Sequence, residues 1–315
     1  MRSLEIRTTT QPGAIAKFSS RSYPEKVPIS RAAASVTACA TMARAALNPR
    51  TRRRTAILAI GIATGLIASI GYRKWARAPL SHIDVYDGFE AGKLSRIWDT
   101  DRFEPGAVTM QTEIVRAGHG AAKVVVHGRD KFEAGINGNA DSERAELLEA
   151  SKLVSKENKT YEYSFSMFIP LDFLIVPTRL VIAQWKQDCD GHAPCSDDSP
   201  VVAVRYTSGV LQITHQIGRH RAALFETGEN VRGTWTDSRF QIRFTPHESG
   251  LLRAWLNGRQ VVDYRGVTAY PESAATGYAN PSMFYFKMGL YRDVMAEPMT
   301  IYIDEYRKTE LPGGS

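Results

Sequence analysis

The chain has 315 residues, 43% of them hydrophobic and 23% charged, with a formal charge of +7. That composition excludes disordered and collagen-like chains and fits one large domain or two ordinary ones. Residues 1–80 carry 14 Lys/Arg against 2 Asp/Glu, leaving 26 against 31 for the remainder. The positive excess therefore lies wholly in the N-terminal part, and the rest lacks the basic footprint that nucleic-acid binding requires.

In chain order, residues 1–54 are rich in Ala, Ser, Thr and Arg and show no apolar period, so they are expected to form a disordered basic tail. Thr55–Tyr72 is an uncharged run of 18 residues, the lower limit for a helix that spans a bilayer. Arg50, Arg52, Arg53 and Arg54 precede it and Arg73, Lys74 and Arg77 follow. The heavier basic flank points to a cytoplasmic N-terminus and an exported C-terminal part. Ala76-Arg77-Ala78 resembles a cleavage site but is followed by Pro79, which favours an uncleaved signal anchor over secretion. The long Arg-rich leader also fits a transit peptide, and a start at Met42 would leave an ordinary short n-region. Residues 73–83 read as a linker.

From residue 84 to about 310 the chain consists of short alternating runs separated by turn residues. They are AAKVVVHG, TYEYSFSMFIP, RLVIAQWKQ, PVVAVRYTSG, VLQITHQIG, DSRFQIRFTP, GLLRAWLNGRQVVDYRG, SMFYFKMGLYR and MTIYIDEYRK. Such runs are strand signals. Asn257-Gly258 between two apolar runs predicts a hairpin with a type I′ turn. No helical period alternates with the strands, so the expected fold is all-β, a two-sheet sandwich of jelly-roll type. Cys189 and Cys195 close a short Gly/Pro loop and read as a disulfide of an oxidising compartment. The alternative, a metal site using His192 and neighbouring aspartates, lacks a recognised ligand spacing.

No nucleophile elbow, P-loop, zinc helix or dinucleotide turn is present. What remains is a set of polar rows. In SMFYFKMGLYR, alternation puts Tyr285, Lys287, Gly289 and Tyr291 on one side and Phe284, Phe286, Met288 and Leu290 on the other. Gly289 leaves a gap through which a ligand is expected to approach. Gln184 and Lys186 point together opposite Trp185, and Arg144 shares a face with Glu146. The plain alternative is that each row is the solvated face of a half-exposed sheet.

SERAELLE, AQWKQ and YFKMGLY, read in that order, resemble the three signature strands of jelly-roll polysaccharide lyases of the heparin lyase I-like and glucuronan lyase group, and more distantly of alginate lyases. Trp255 to Gly258 resembles a concanavalin A-like hairpin shared with sandwiches that only bind sugars. The resemblance implies β-elimination on an anionic uronate polysaccharide. The chain is expected to work as a monomer with no cofactor or metal. The resemblance also implies that Arg144 and Gln184 hold the substrate carboxylate, for which a guanidinium offers a bidentate fork. Tyr291 would protonate the leaving oxygen, and Lys287 would lower the phenol's pKa and bind substrate charge. Lys186, Glu146 and Tyr285 would complete the substrate-binding row. Lys186 stands where alginate lyases have a histidine, which leaves the base open among Tyr291, His127, His215 and Lys186. His215 alternates with Ile213 and Ile217, the pattern of a core histidine. A non-catalytic carbohydrate-binding or adhesion sandwich is the second reading. A glycoside hydrolase ranks last for want of paired carboxylates.

Overall fold

The computed structural model describes residues 80–133, 142–188, 200–218, 220–270 and 283–312. The tail, the run 55–72 and Cys189, His192 and Cys195 lie outside these residues. No helix among the described residues is long and apolar enough to cross a membrane.

Two antiparallel sheets face each other. Numbering strands along the chain, the first sheet holds β1 (Asp84–Asp87), β3 (Val108–Gln111), β4 (Ala121–Val126), β7 (Thr160–Phe168), β12 (Trp235–Arg243), β13 (Leu251–Leu256), β14 (Arg259–Arg265) and β16 (Met299–Glu310). Their order is β14-β13-β12-β7-β16-β4-β3, with β1 also paired to β16. The second holds β2 (Trp98–Asp99), β5 (Ser142–Glu149), β6 (Ser155–Lys156), β8 (Leu180–Asp188), β9 (Val202–Thr207), β10 (Val210–Ile217), β11 (His220–Thr227) and β15 (Met283–Asp293). Its order is β11-β10-β9-β8-β15-β5-β2, with β6 also paired to β15. Each alternating run of the sequence forms a strand, GLLRAWLNGRQVVDYRG forming two, and the jelly-roll expectation holds as an all-β sandwich of two antiparallel sheets.

The period-2 pattern explains the layering, because one side of each strand enters the space between the sheets. Phe284, Phe286, Met288 and Leu290 of β15 are buried there with Trp185 of β8, facing Tyr163, Phe165, Phe240 and Tyr306 of the first sheet. Trp185 lies 4.8 Å from Phe286 and 4.7 Å from Phe240, ring centre to ring centre. Such pairs add about 0.5–1.5 kcal/mol each beyond the area they bury. Asn257 and Gly258 both adopt positive φ, 49° and 78°, as the two-residue turn between β13 and β14 demands.

One expectation is overturned in β15. Gly289 has φ 139°, and a Cβ there would collide with the carbonyl oxygen of Ala145 and sit 2.9 Å from Glu146 Cα. The glycine is required by close approach of β5's backbone at a bulge between β15 and β8, not by a ligand.

Candidate functional site

The strands that form the inter-sheet core turn their other faces outward. On the second sheet this outer face carries Arg144 and Glu146 (β5), Lys287 and Tyr291 (β15), and Gln184 and Lys186 (β8). Register brings them together: Tyr291 lies opposite Arg144, Gly289 opposite Glu146, Lys287 opposite Gln184 and Tyr285 opposite Lys186. A solvated sheet face would leave these side chains exposed. Instead Glu146 is 1%, Lys287 3%, Gln184 3% and Lys186 8% exposed, which removes the plain alternative.

Glu146 is the hub. Its Oε2 accepts from Lys287 Nζ at 3.0 Å and from Arg144 Nη1 at 3.3 Å, and its Oε1 accepts from Gln184 Nε2. Arg144 also donates from Nη2 to Glu133 Oε2 at 2.5 Å. Burial alone would raise the Glu146 carboxyl, but the charges of Lys287 and Arg144 and the hydrogen bonds from Lys287 and Gln184 outweigh it and hold the group below its ordinary range. Burial pulls Lys287 down to about 8, opposed by Glu146 and aided by Arg144 and Lys186. Lys287 therefore acts first on Glu146.

Two guanidiniums lie against the Tyr291 ring. Arg144 Cζ lies 4.6 Å and Arg179 Cζ 5.1 Å from the ring centre, within the range of cation–π attraction. Arg179 also pairs with Asp293 at 2.8 Å. Beyond Tyr291 on the same face, β9 contributes Arg205, which is 7% exposed. Sequence reasoning did not single out Arg179, Arg205 or Arg221. The one signal for Arg205 is an arginine inside the otherwise apolar run PVVAVRYTSG.

Neither histidine offered as a base joins this group. His215 points between the sheets, its ring 4.8 Å from Tyr264 of β14, and burial lowers its pKa. Its alternation with the buried Ile213 fixes that direction. His127 follows β4 in the first sheet, and its Nδ1 is 3.2 Å from Asp130 Oδ2 with 62% of the side chain exposed. No cluster of three or more His, Cys, Asp or Glu suited to a metal ion occurs among the described residues.

A second polar surface invites comparison. A cleft of about 400 Å³ on the outer face of the first sheet is lined by Ser164, Ser166, Asp237, Arg239, Trp255 and Arg307, among others. Its charges satisfy one another: Arg239 pairs with Glu162 at 3.3 Å, Asp237 with Arg116 at 2.8 Å and Arg307 with Asp84 at 3.0 Å. Arg239 also covers Trp255 at 3.8 Å. The cationic cluster lies instead on the opposite sheet.

A model of the polysaccharide lyase family matches residues 89–307, more than half of the chain. The chain belongs to that family and is a polysaccharide lyase. Among solved structures, the fold of this lyase is similar to that of an endo-β-1,4-glucuronan lyase from the fungus Trichoderma reesei. The two are 17% identical, with 72% of this chain and 95% of that one covered and a TM-score of 0.53. The alginate lyase Aly36B is similar at 13% identity, 76% and 100% coverage and a TM-score of 0.51. No curated protein matches the sequence. The resemblance read from SERAELLE, AQWKQ and YFKMGLY holds, and the family match spans all three strands.

Proposed function

We propose that this lyase cleaves a uronic-acid polymer by β-elimination at Tyr291. The observation that carries the proposal is the buried cationic cluster around that ring, with Glu146 at its centre. The C5 proton of a uronate is weakly acidic while the carboxylate beside it is ionised, so a site must neutralise that carboxylate and stabilise the enolate-like charge that develops. Arg144, fixed by Glu133 and Glu146, presents a planar cation at Tyr291 for this purpose. Gln184 and Lys287 hold Glu146, and Lys186 and Tyr285 extend the row along the polymer. With His215 in the core, His127 on Asp130 and Lys186 opposite Tyr285, six residues along β15 from the Tyr291–Arg144 pair, Tyr291 takes the C5 proton. The C4=C5 double bond forms, the bond from C4 to the glycosidic oxygen breaks, and Tyr291 returns the proton to that oxygen.

The proposal extends to the setting. The run 55–72 anchors the chain in a membrane, the domain works as a monomer on the exported side, and Cys189 and Cys195 form a disulfide. The basic flank ahead of the run and the even cysteine pair support this reading.

The test of the activity is a panel of uronate polymers followed by ultraviolet absorbance of the conjugated unsaturated uronate, which elimination generates and hydrolysis does not. New absorbance on at least one polymer is expected. Binding without new absorbance would put a carbohydrate-binding sandwich in its place.

A further inference from the structure

Arg144, Lys287, Arg292 and Lys308 are buried cations, and each has a carboxylate within reach: Glu146 for the first two, then Glu143 and Glu149. Arg205 is equally buried, yet among the described residues no carboxylate pairs with it. Its Nε donates to Thr214 Oγ1 at 3.1 Å. Its charged neighbours are Arg221 and Arg179, and burial together with their repulsion pulls its pKa down to about 10. A buried guanidinium without a counter-ion is costly, and this one also faces like charges.

The location tells what it waits for. Register runs Arg144, Tyr291, Val181, Arg205 across β5, β15, β8 and β9. Val181 is buried but stands outside the inter-sheet core cluster, as does Ala203. Val181 thus floors the gap between Tyr291 and Arg205, two strand spacings or about 10 Å along the sheet. Arg221, the next cation outward, has its Nε on Gln216 Oε1 at 3.0 Å and no described ion pair. From Arg205 the register row runs on to Gln212 and then Glu226, whose Oε2 accepts from Gln212 Nε2 at 3.3 Å, while Arg221 lies opposite Gln216.

Building on the uronate activity proposed above, we propose that Arg205, with Arg179 and Arg221 beside it, forms a second carboxylate-binding subsite for a neighbouring uronate. The enzyme then selects runs of consecutive uronic acids over polymers in which uronates alternate with neutral or amino sugars. The missing counter-ion of Arg205 arrives with the substrate, and a planar fork suits a carboxylate better than an ammonium would. A purely structural Arg205, held by its Nε on Thr214, would leave specificity untouched.

The experiment compares the full chain with its Arg205→Gln and Arg205→Lys variants. KM and kcat are measured on a homopolymeric uronate and on an alternating uronate–hexosamine polymer, and melting temperature is recorded for each protein. In parallel, calorimetry with a short homo-oligouronate is run in a Tyr291→Phe background. Arg205→Gln should raise KM on the homopolymer about tenfold to a hundredfold, the range of a charge-assisted hydrogen bond in a desolvated site. It should leave the alternating polymer nearly unaffected, weaken oligouronate binding by a similar factor and not lower the melting temperature. Arg205→Lys should fall between. Equal losses on both polymers, a lowered melting temperature with unchanged KM, or a wild-type preference for the alternating polymer would overturn the subsite while leaving the elimination activity in place. A wild-type protein that neither cleaves nor binds any uronate would remove both.

Discussion

Replacing Glu146 by glutamine keeps the shape of the hub and deletes its charge. At an effective dielectric of about 20, a pair at 3.0 Å and one at 3.3 Å attract by roughly 5 kcal/mol each before desolvation is subtracted. Removing one partner of a buried ion pair typically costs about 3–5 kcal/mol. Arg144 retains Glu133 at 2.5 Å, so the low end applies, about 3 kcal/mol. For a domain of this size that lowers the melting temperature by about 6–12 °C, and the protein still folds. Turnover should fall as well, since Arg144, Lys287 and Gln184 lose their common anchor. The sign of the pH effect also follows. The carboxyl is held below its ordinary range, so its stabilisation is fully present above the unfolded-state value and fades as pH falls through the folded one. Glu146→Gln should therefore flatten the acid side of the stability profile. Adding Lys287→Met removes the stranded cation and should recover stability without recovering activity. Thermal unfolding of the two variants against wild type, with turnover beside it, is the assay. A Glu146→Gln protein that melts with wild type, or a double variant less stable than the single one, would refute the hub.

Phe286→Ala, one residue from Lys287 on the opposite face, should cost about 3–5 kcal/mol in denaturant unfolding and spare kcat in the protein that remains folded. Gly289→Ala meets both a positive φ and β5's backbone, so a loss of at least about 2 kcal/mol is expected, read from the same unfolding curves. Because Lys287 loses its proton near pH 8, the site becomes less positive above that value. Calorimetry of oligouronate binding should show affinity falling as pH rises through about 8, a step that Lys287→Met abolishes. Membrane fractionation should retain the full chain, with the domain open to protease from the exported side; soluble mature protein beginning near Pro79 would contradict the anchor.

The strands were legible because alternation of apolar and polar residues is a local signal, and Asn257-Gly258 marked its hairpin for the same reason. β11 was not. HRAALFET carries Ala and Leu where strands favour β-branched residues, and as an exposed edge strand it shows no buried face. The row on β15 was readable from its own period, and so was its union with Arg144 and Gln184, through the signature strands. The roles inside the row were not. Lys287 was expected beside the phenol, whereas the fold pairs it with Glu146, a contact between residues 141 positions apart in the chain. Gly289 looked like space for a ligand because a sequence does not show the backbone that β5 brings against it. Arg205 was hidden for a similar reason: an arginine in an apolar run gains meaning only when the sheet order sets β9 two strands from Tyr291.

The most direct test of the elimination mechanism is the initial rate of unsaturated-uronate formation by wild type and Tyr291→Phe on the same polymer, with folding confirmed by thermal melting. The substitution removes one hydroxyl from a half-buried ring and leaves the Arg144 and Arg179 contacts in place. The account predicts a melt unchanged from wild type and a rate lower by roughly 10²-fold or more, the low end of what a positioned proton transfer contributes. A correctly folded Tyr291→Phe protein that forms unsaturated uronate at the wild-type rate would contradict it.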